Sequence, residues 1–302
     1  MKNWYESLKR SVERGLPMNS HEILKKLDQI EDLPTLPAIA MEVNEMLRDY
    51  NTSVKALSQT IQKDQALVPR ILKLVNSAFF GFPSKISDIS RAVVVLGFNS
   101  VRNVIISVSI IDAFSEKKAS DDFDIKAFWS HSVAVAMTSK YLAGDTRLLA
   151  PEDAFTGGLL HDIGKVVLAL YFQKLFGKVW ASARENKLSF YDAENREIPM
   201  THVQIGAHLA KKWQLPQGLV DTIQYHHKVN RNANDPDMLM VVHVADIIVN
   251  SLVTDSESGP DLSTIYPDAA NLMNSQLETV SDWFPEVSEE IQSACEFFLE
   301  NK

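Results

Sequence analysis

Apolar residues recur every three to four positions along most of this chain, the period of a helix that buries one face. Ser53 reads as an N-cap, followed by Val54, Leu57 and Ile61 on one face. Leu67, Ile71, Leu74, Val75 and Ala78 form a second stripe, and Ile86, Ile89, Val93 and Leu96 a third that Gly97 stops. Val101, Val104, Ile105, Val108 and Ile111 form a fourth. The run Val93-Val94-Val95 would suit a strand by itself, but the residues around it keep the helical period. Glu116 to Asp124 is charged and reads as a linker. After it the pattern predicts a helix around His131, one from about Pro151 through Phe172, and one carrying Val179 to Ala183. Two more follow, His202 to Trp213, closed by Leu215-Pro216, and Gln217 to His227. Lys228 to Asp237 reads as a loop and Met238 to Val253 as a helix; beyond Thr254 lie two short amphipathic helices ending near Leu299. Strand alternation is almost absent, so the expected fold class is all-α.

Composition narrows the chemistry. The 302 residues are 45% hydrophobic and 23% charged, which suits a globular protein of one or two domains. The single cysteine, Cys295, excludes an internal disulfide and a thiolate zinc cluster, so a metal site would have to use histidine and oxygen. Met1 to Met18 has no apolar stretch of the signal-peptide kind, and runs such as Val166 to Phe172 are too short to span a bilayer. The expectation is a cytoplasmic protein without a membrane segment. The net charge of −9 argues against nucleic acid as a partner. Charge is uneven, however: Ser53 to Arg102 holds seven basic residues against two acidic ones. That excess is either a solvated basic face or a docking surface for an acidic partner or for the acidic remainder of the chain.

The sharpest chemical signal is Leu159-Leu160-His161-Asp162-Ile163, adjacent imidazole and carboxylate inside an apolar helical run. Burying both is costly unless they pair with each other or hold a metal, and a divalent cation accepts both donors at once. His131 lies upstream; His202, His226, His227 and Asp246 lie downstream in segments that read as helices. Five of the eight histidines fall in this set. His21, His208 and His243 are assigned to the surface or a satisfied core, with His243 close enough to Asp246 in sequence to support it.

Leu33-Pro34-Thr35-Leu36-Pro37, Ile61, Asp64, the segment Arg70 to Ala78, Ile86 to Ala92, Leu96-Gly97 and Val101-Arg102 together resemble the HDOD family, HD-related output domains of bacterial signalling proteins. The resemblance covers about residues 25 to 230. Downstream, His131, Gly158 to Lys165, His202 with Gly206, His226-His227 and Val244-Ala245-Asp246 resemble the HD phosphohydrolases, and more closely their HD-GYP branch. Two departures stand out. Lys228-Val229-Asn230 replaces the Glu and Gly-Tyr-Pro that follow the paired histidines in that branch, which argues against cyclic-dinucleotide hydrolysis. Ala127 occupies the acidic position one turn before the first histidine, which argues against a third metal.

The resemblance implies an HD-like helical bundle with an N-terminal helical module packed on it. The expected divisions are residues 1–20, an extension; 21–118, the N-terminal module; 119–255, the module with the metal site; and 256–302, an acidic helical extension. It implies one or two divalent ions, of iron, manganese, zinc, cobalt or nickel. His131, His161, Asp162 and Asp246 would hold the first, and Asp162 would bridge to a second held by His202 and His226. His227 would be either a further ligand or an exposed helix-end residue. Asp162 and Lys165 are the expected catalytic residues, Lys165 either contacting a phosphate or pairing with Asp162. Three functions remain open: a regulatory signalling protein with a metal site, a metal-dependent phosphohydrolase of a nucleotide or phosphodiester, and an interaction module with an empty site. The corresponding partners are signalling proteins or a phosphate-containing small molecule.

Overall fold

The computed structural model describes residues 19–30, 33, 36–49, 51–76, 82, 84–115, 123–254 and 262–300, and among these every regular element is helical. Five helices form an N-terminal layer: α1 (Ser20–Gln29), α2 (Ala38–Met46), α3 (Val54–Ile61), α4 (Leu67–Val75) and α5 (Ile89–Ser115). Their starts follow local chemistry. Asn19 and Glu22 cap α1 reciprocally, and the Ser53 hydroxyl accepts the Ala56 N–H at 3.1 Å to start α3. Leu57, Ile61, Ile71, Leu74, Val101 and Ile105 of the predicted stripes are buried, each contributing about 1.5–3 kcal/mol. Val93 is buried while Val94 and Val95 face outward, a helical alternation that rules out a strand there. The span α5 is two helices that meet at Gly97, whose φ of 79° and ψ of 166° are non-helical and suit glycine, so the third stripe stops there as expected. By length and composition Ile89–Phe114 could cross a membrane, but more than half of it is packed inside the fold. Ser77 and Ala78, Pro34 and Thr35, and most of the expected linker and both terminal extremities lie outside the described residues.

The second half is built around α6 (Ile125–Thr146), whose start is capped by the Asp124 carboxylate. Against it pack α7 (Pro151–Leu160), α13 (Pro236–Thr254) and α16 (Val280–Cys295). The intervening helices are α8 (Ile163–Tyr171), α9 (Gln173–Asn186), α10 (Phe190–Glu197), α11 (His202–Lys212) and α12 (Gln217–Tyr225). The expected helix from Pro151 through Phe172 is therefore two helices, interrupted by a turn at His161-Asp162. His226 and His227 fall just beyond the end of α12, and α10 was not foreseen. The C-terminal end also carries more than two short helices: α14 (Pro267–Leu272) and α15 (Asn274–Glu278) precede α16, and a π-helical turn, Glu296–Glu300, follows.

Close backbone crossings fix the layout. A Cβ on Gly164 would lie 1.9 Å from the carbonyl oxygen of His202 and 2.8 Å from the Gly206 nitrogen, so α8 and α11 touch backbone to backbone. Gly158 lets α7 approach α6 in the same way, a Cβ there falling 2.7 Å from the Ala136 Cα. The N-terminal layer meets this half through α5 on α7 and through Asn44, whose amide donates to the Gln214 carbonyl at 2.8 Å. One hydrophobic cluster takes in side chains from Ile23 to Phe298.

Candidate metal centre

The turn between α7 and α8 brings His161 and Asp162 to the middle of the second half. His131 comes from the inner face of α6, Asp246 from α13, His202 from the first turn of α11, and His226 and His227 from the turn after α12. All seven sequence-predicted donors converge, although they span the chain from residue 131 to 246. His161 and His202 are fully buried; Asp162, His226 and Asp246 are at most 5% exposed. The side chains of His131 and Lys165 are 23% and 22% exposed and form the open edge.

Asp162 is the hinge of the arrangement because its two oxygens neighbour different imidazoles. Oδ2 lies 3.4 Å from His161 Nε2 and 3.9 Å from His131 Nε2. Asp246 Oδ1 closes this side, 3.2 Å from His131 Nε2 and 3.5 Å from His161 Nε2. Oδ1 of Asp162 lies 3.0 Å from His202 Nε2 and 3.5 Å from His226 Nε2. Ligand atoms of Asp162, His202, His226 and His227 all fall within 4.8 Å of one another.

Each buried ring is held by its other nitrogen. His161 Nδ1 lies 2.6 Å from the Gly158 carbonyl, His226 Nδ1 3.1 Å from the Ile223 carbonyl, and His202 Nδ1 2.5 Å from Glu194 Oε2. With carbonyl or carboxylate acceptors there, Nδ1 carries a proton, so in the neutral ring Nε2 is the nitrogen that offers a lone pair to the centre. His161, His202, His226 and His227 Nε2, together with Asp162 Oδ1, are buried without a hydrogen bond among the described residues. These five atoms converge on one space, each costing on the order of 1–3 kcal/mol if left unsatisfied, and their positions could hold a metal ion. An imidazole and carboxylate set without sulfur suits iron, manganese, zinc, cobalt or nickel.

Burial disfavours charge on His161, but Asp162 and Asp246 outweigh it and lift its pKa to about 10. Burial is decisive for His226, held down to about 4, with the neighbouring histidines adding to the effect against Asp162. His227 is likewise pushed well below the usual imidazole range by burial and by His226 and His202. Burial would raise both carboxylates, yet Asp162 is held well below the usual range by Lys165 and His161, and Asp246 by His131 and His161.

Lys165 donates to Asp162 Oδ2 at 2.5 Å, so its ammonium lies beside the carboxylate. His227 stacks on Tyr191, with ring centroids 4.4 Å apart. His243 does not support Asp246: its Nδ1 donates to the His226 carbonyl at 2.6 Å and its Nε2 accepts the Tyr266 N–H, bracing the histidine turn. Asp246 takes its hydrogen bond from Asn250 at 2.7 Å. His208 lies near the surface beside Asp28, 2.9 Å away. The site residue that sequence reasoning missed is Glu194, fully buried on α10. Its segment, Tyr191-Asp192-Ala193-Glu194-Asn195-Arg196-Glu197, carries three acidic residues, and no pattern in the sequence marks the inward one.

Residues 33–229 match the HDOD domain family. The fold superposes with a TM-score of 0.68 on the crystal structure of an HDOD domain protein of unknown function from Geobacter sulfurreducens. That pair is 26% identical, and the alignment covers 91% of this chain and 98% of that one. A candidate phosphohydrolase from Shewanella amazonensis SB2B superposes with a TM-score of 0.71 at 23% identity, covering 90% and 97% of the two chains, which shows the shared fold. A Treponema pallidum (strain Nichols) relative, named as an uncharacterized protein, is 31% identical over 205 residues. The match takes in 67% of this chain and 39% of that protein, so the chain spans well under half of that relative's length.

Proposed function

This chain belongs to the HDOD domain family, and from that premise we propose that it is a cytoplasmic bacterial signalling protein built around an HD-type, dinuclear metal centre. The observation that carries this reading is Asp162, whose Oδ2 lies near His131 and His161 and whose Oδ1 lies near His202 and His226. In this reading His131, His161, Asp162 and Asp246 hold one ion, and Asp162, His202 and His226 the other, with His227 at the rim of the second. The fold around the site would be read by signalling partners, whose contact face includes the basic N-terminal layer. Part of that basic excess is already engaged: Lys63 pairs with Glu42, Arg70 with Asp112, and Lys73 lies over the Phe297 ring.

A second reading, phosphoester hydrolysis, is favoured by the open edge at His131 and Lys165. A bound pair of ions supplies a low-pKa water and neutralises charge on a phosphoryl group. Lys165, held at Asp162, is the ammonium nearest the centre and would orient a phosphate oxygen there. The buried walls from α8 and α11 exclude bulk water, and His131 at the edge would face the incoming ligand.

Elemental analysis of protein purified without chelator tests the first reading: about two ions per chain are expected, and none after reconstitution would refute it. A panel of nucleotides and phosphodiesters tests the second. Turnover that disappears in Asp162→Ala supports hydrolysis, whereas rates equal to that variant leave a regulatory centre.

A further inference from the structure

The most constrained group that the ligand set does not account for is the Glu194 carboxylate. It is fully buried, and both oxygens serve one residue: Oε1 accepts the His202 backbone N–H at 2.8 Å and Oε2 lies 2.5 Å from His202 Nδ1. A charge buried at this depth needs strong compensation. The bland account is a helix cap, since His202 is the first residue of α11 and a carboxylate is favoured there. That accounts for one oxygen only. The other fixes an imidazole whose Nε2 is orphaned and sits 3.0 Å from Asp162 Oδ1.

We infer that Glu194 is the positioning residue of His202, setting its tautomer so that the second ion can bind. The inference rests on the dinuclear reading above. Its logic is in the hydrogen-bond polarity. The backbone N–H can only donate, so whichever oxygen faces it must accept. With a carboxylate the remaining oxygen also accepts, Nδ1 must carry a proton, and in the neutral ring Nε2 is the lone pair left for a metal. Gln at position 194 keeps the shape, but its carbonyl is claimed by the backbone N–H. Its NH2 group then faces Nδ1, which must accept, moving the ring proton to Nε2 and closing that nitrogen to a metal.

Cobalt(II) is the probe, counted by elemental analysis and followed by its visible absorption on the full chain. Wild type should hold two ions and Glu194→Gln one, with the second ion's affinity reduced about 10- to 100-fold. Glu194→Asp, which keeps an acceptor one methylene short, should retain more of the second ion than Gln; it remains readable if Gln fails to fold. His202→Ala should likewise hold one ion, and adding Glu194→Gln to it should cost no further metal, because the two act as a unit. Two ions in wild type and two in Glu194→Gln would overturn the role of Glu194 alone. No more than one ion in wild type would overturn the dinuclear reading and this inference together. A further loss of metal in the double variant would make Glu194 a general structural residue and overturn it as well.

Discussion

The N-terminal layer and the site-bearing half are made of the same kind of amphipathic helix but bury different things. In the layer, α3, α4 and α5 bury Leu57, Ile61, Ile71, Leu74, Val101 and Ile105, and its few buried polar groups include Asn44, which reaches a carbonyl. In the other half, His161, Asp162, Glu194, His202, His226 and Asp246 are buried together. Apolar burial stabilises a fold unaided, whereas imidazoles and carboxylates in the same setting cost free energy until something compensates them. The difference teaches that the second half, whose apolar core is at least as extensive, also encloses a cluster of imidazoles and carboxylates suited to a ligand.

The sharpest break of the comparison is Asp162→Ala. It removes the oxygens that the proposed centre shares, so on that reading bound metal should be lost, with affinity down more than about 100-fold by analogy with lesser changes around metal sites. Elemental analysis checks it. If the comparison holds, Ile71→Ala should do the reverse. A fully buried isoleucine truncated to alanine costs about 2–5 kcal/mol by chemical denaturation, while the ion count per chain stays unchanged. Loss of metal there would show that the layer shapes the site.

Acidity separates the regions next. A histidine ligates only when neutral, yet without metal His161 keeps its proton up to about pH 10. Its folded pKa is raised, so the protonated ring stabilises the metal-free fold below its unfolded value, and that contribution is lost as pH rises through about 10. Metal uptake near neutrality must therefore displace this proton, and apparent affinity should rise about tenfold per pH unit from this group. His226, held near 4, is already neutral and should add no slope. Calorimetry in buffers of different ionisation enthalpy counts the protons released, and a count of zero would contradict this account. The smallest expected effect is at the seam: Asn44→Ala removes the bond to Gln214 and should cost about 1 kcal/mol with metal content untouched, read from the denaturation midpoint.

Much of this was legible in the chain. The stripes of α3 and α4, the Ser53 cap, the loop before α13 and the all-helical class follow from a period that operates within a few residues. The donor types were legible too, because His161-Asp162 inside an apolar run has no inexpensive explanation. Local period could not show the break at that pair, since the apolar period runs on through both flanking helices. Nor could it mark Glu194 among the acidic residues of α10 or assign the two oxygens of Asp162 to different imidazoles. Those depend on how helices distant in sequence are set against one another, and here that is decided where Gly164 meets His202 and Gly206, and Gly158 meets Ala136, at distances that admit no side chain.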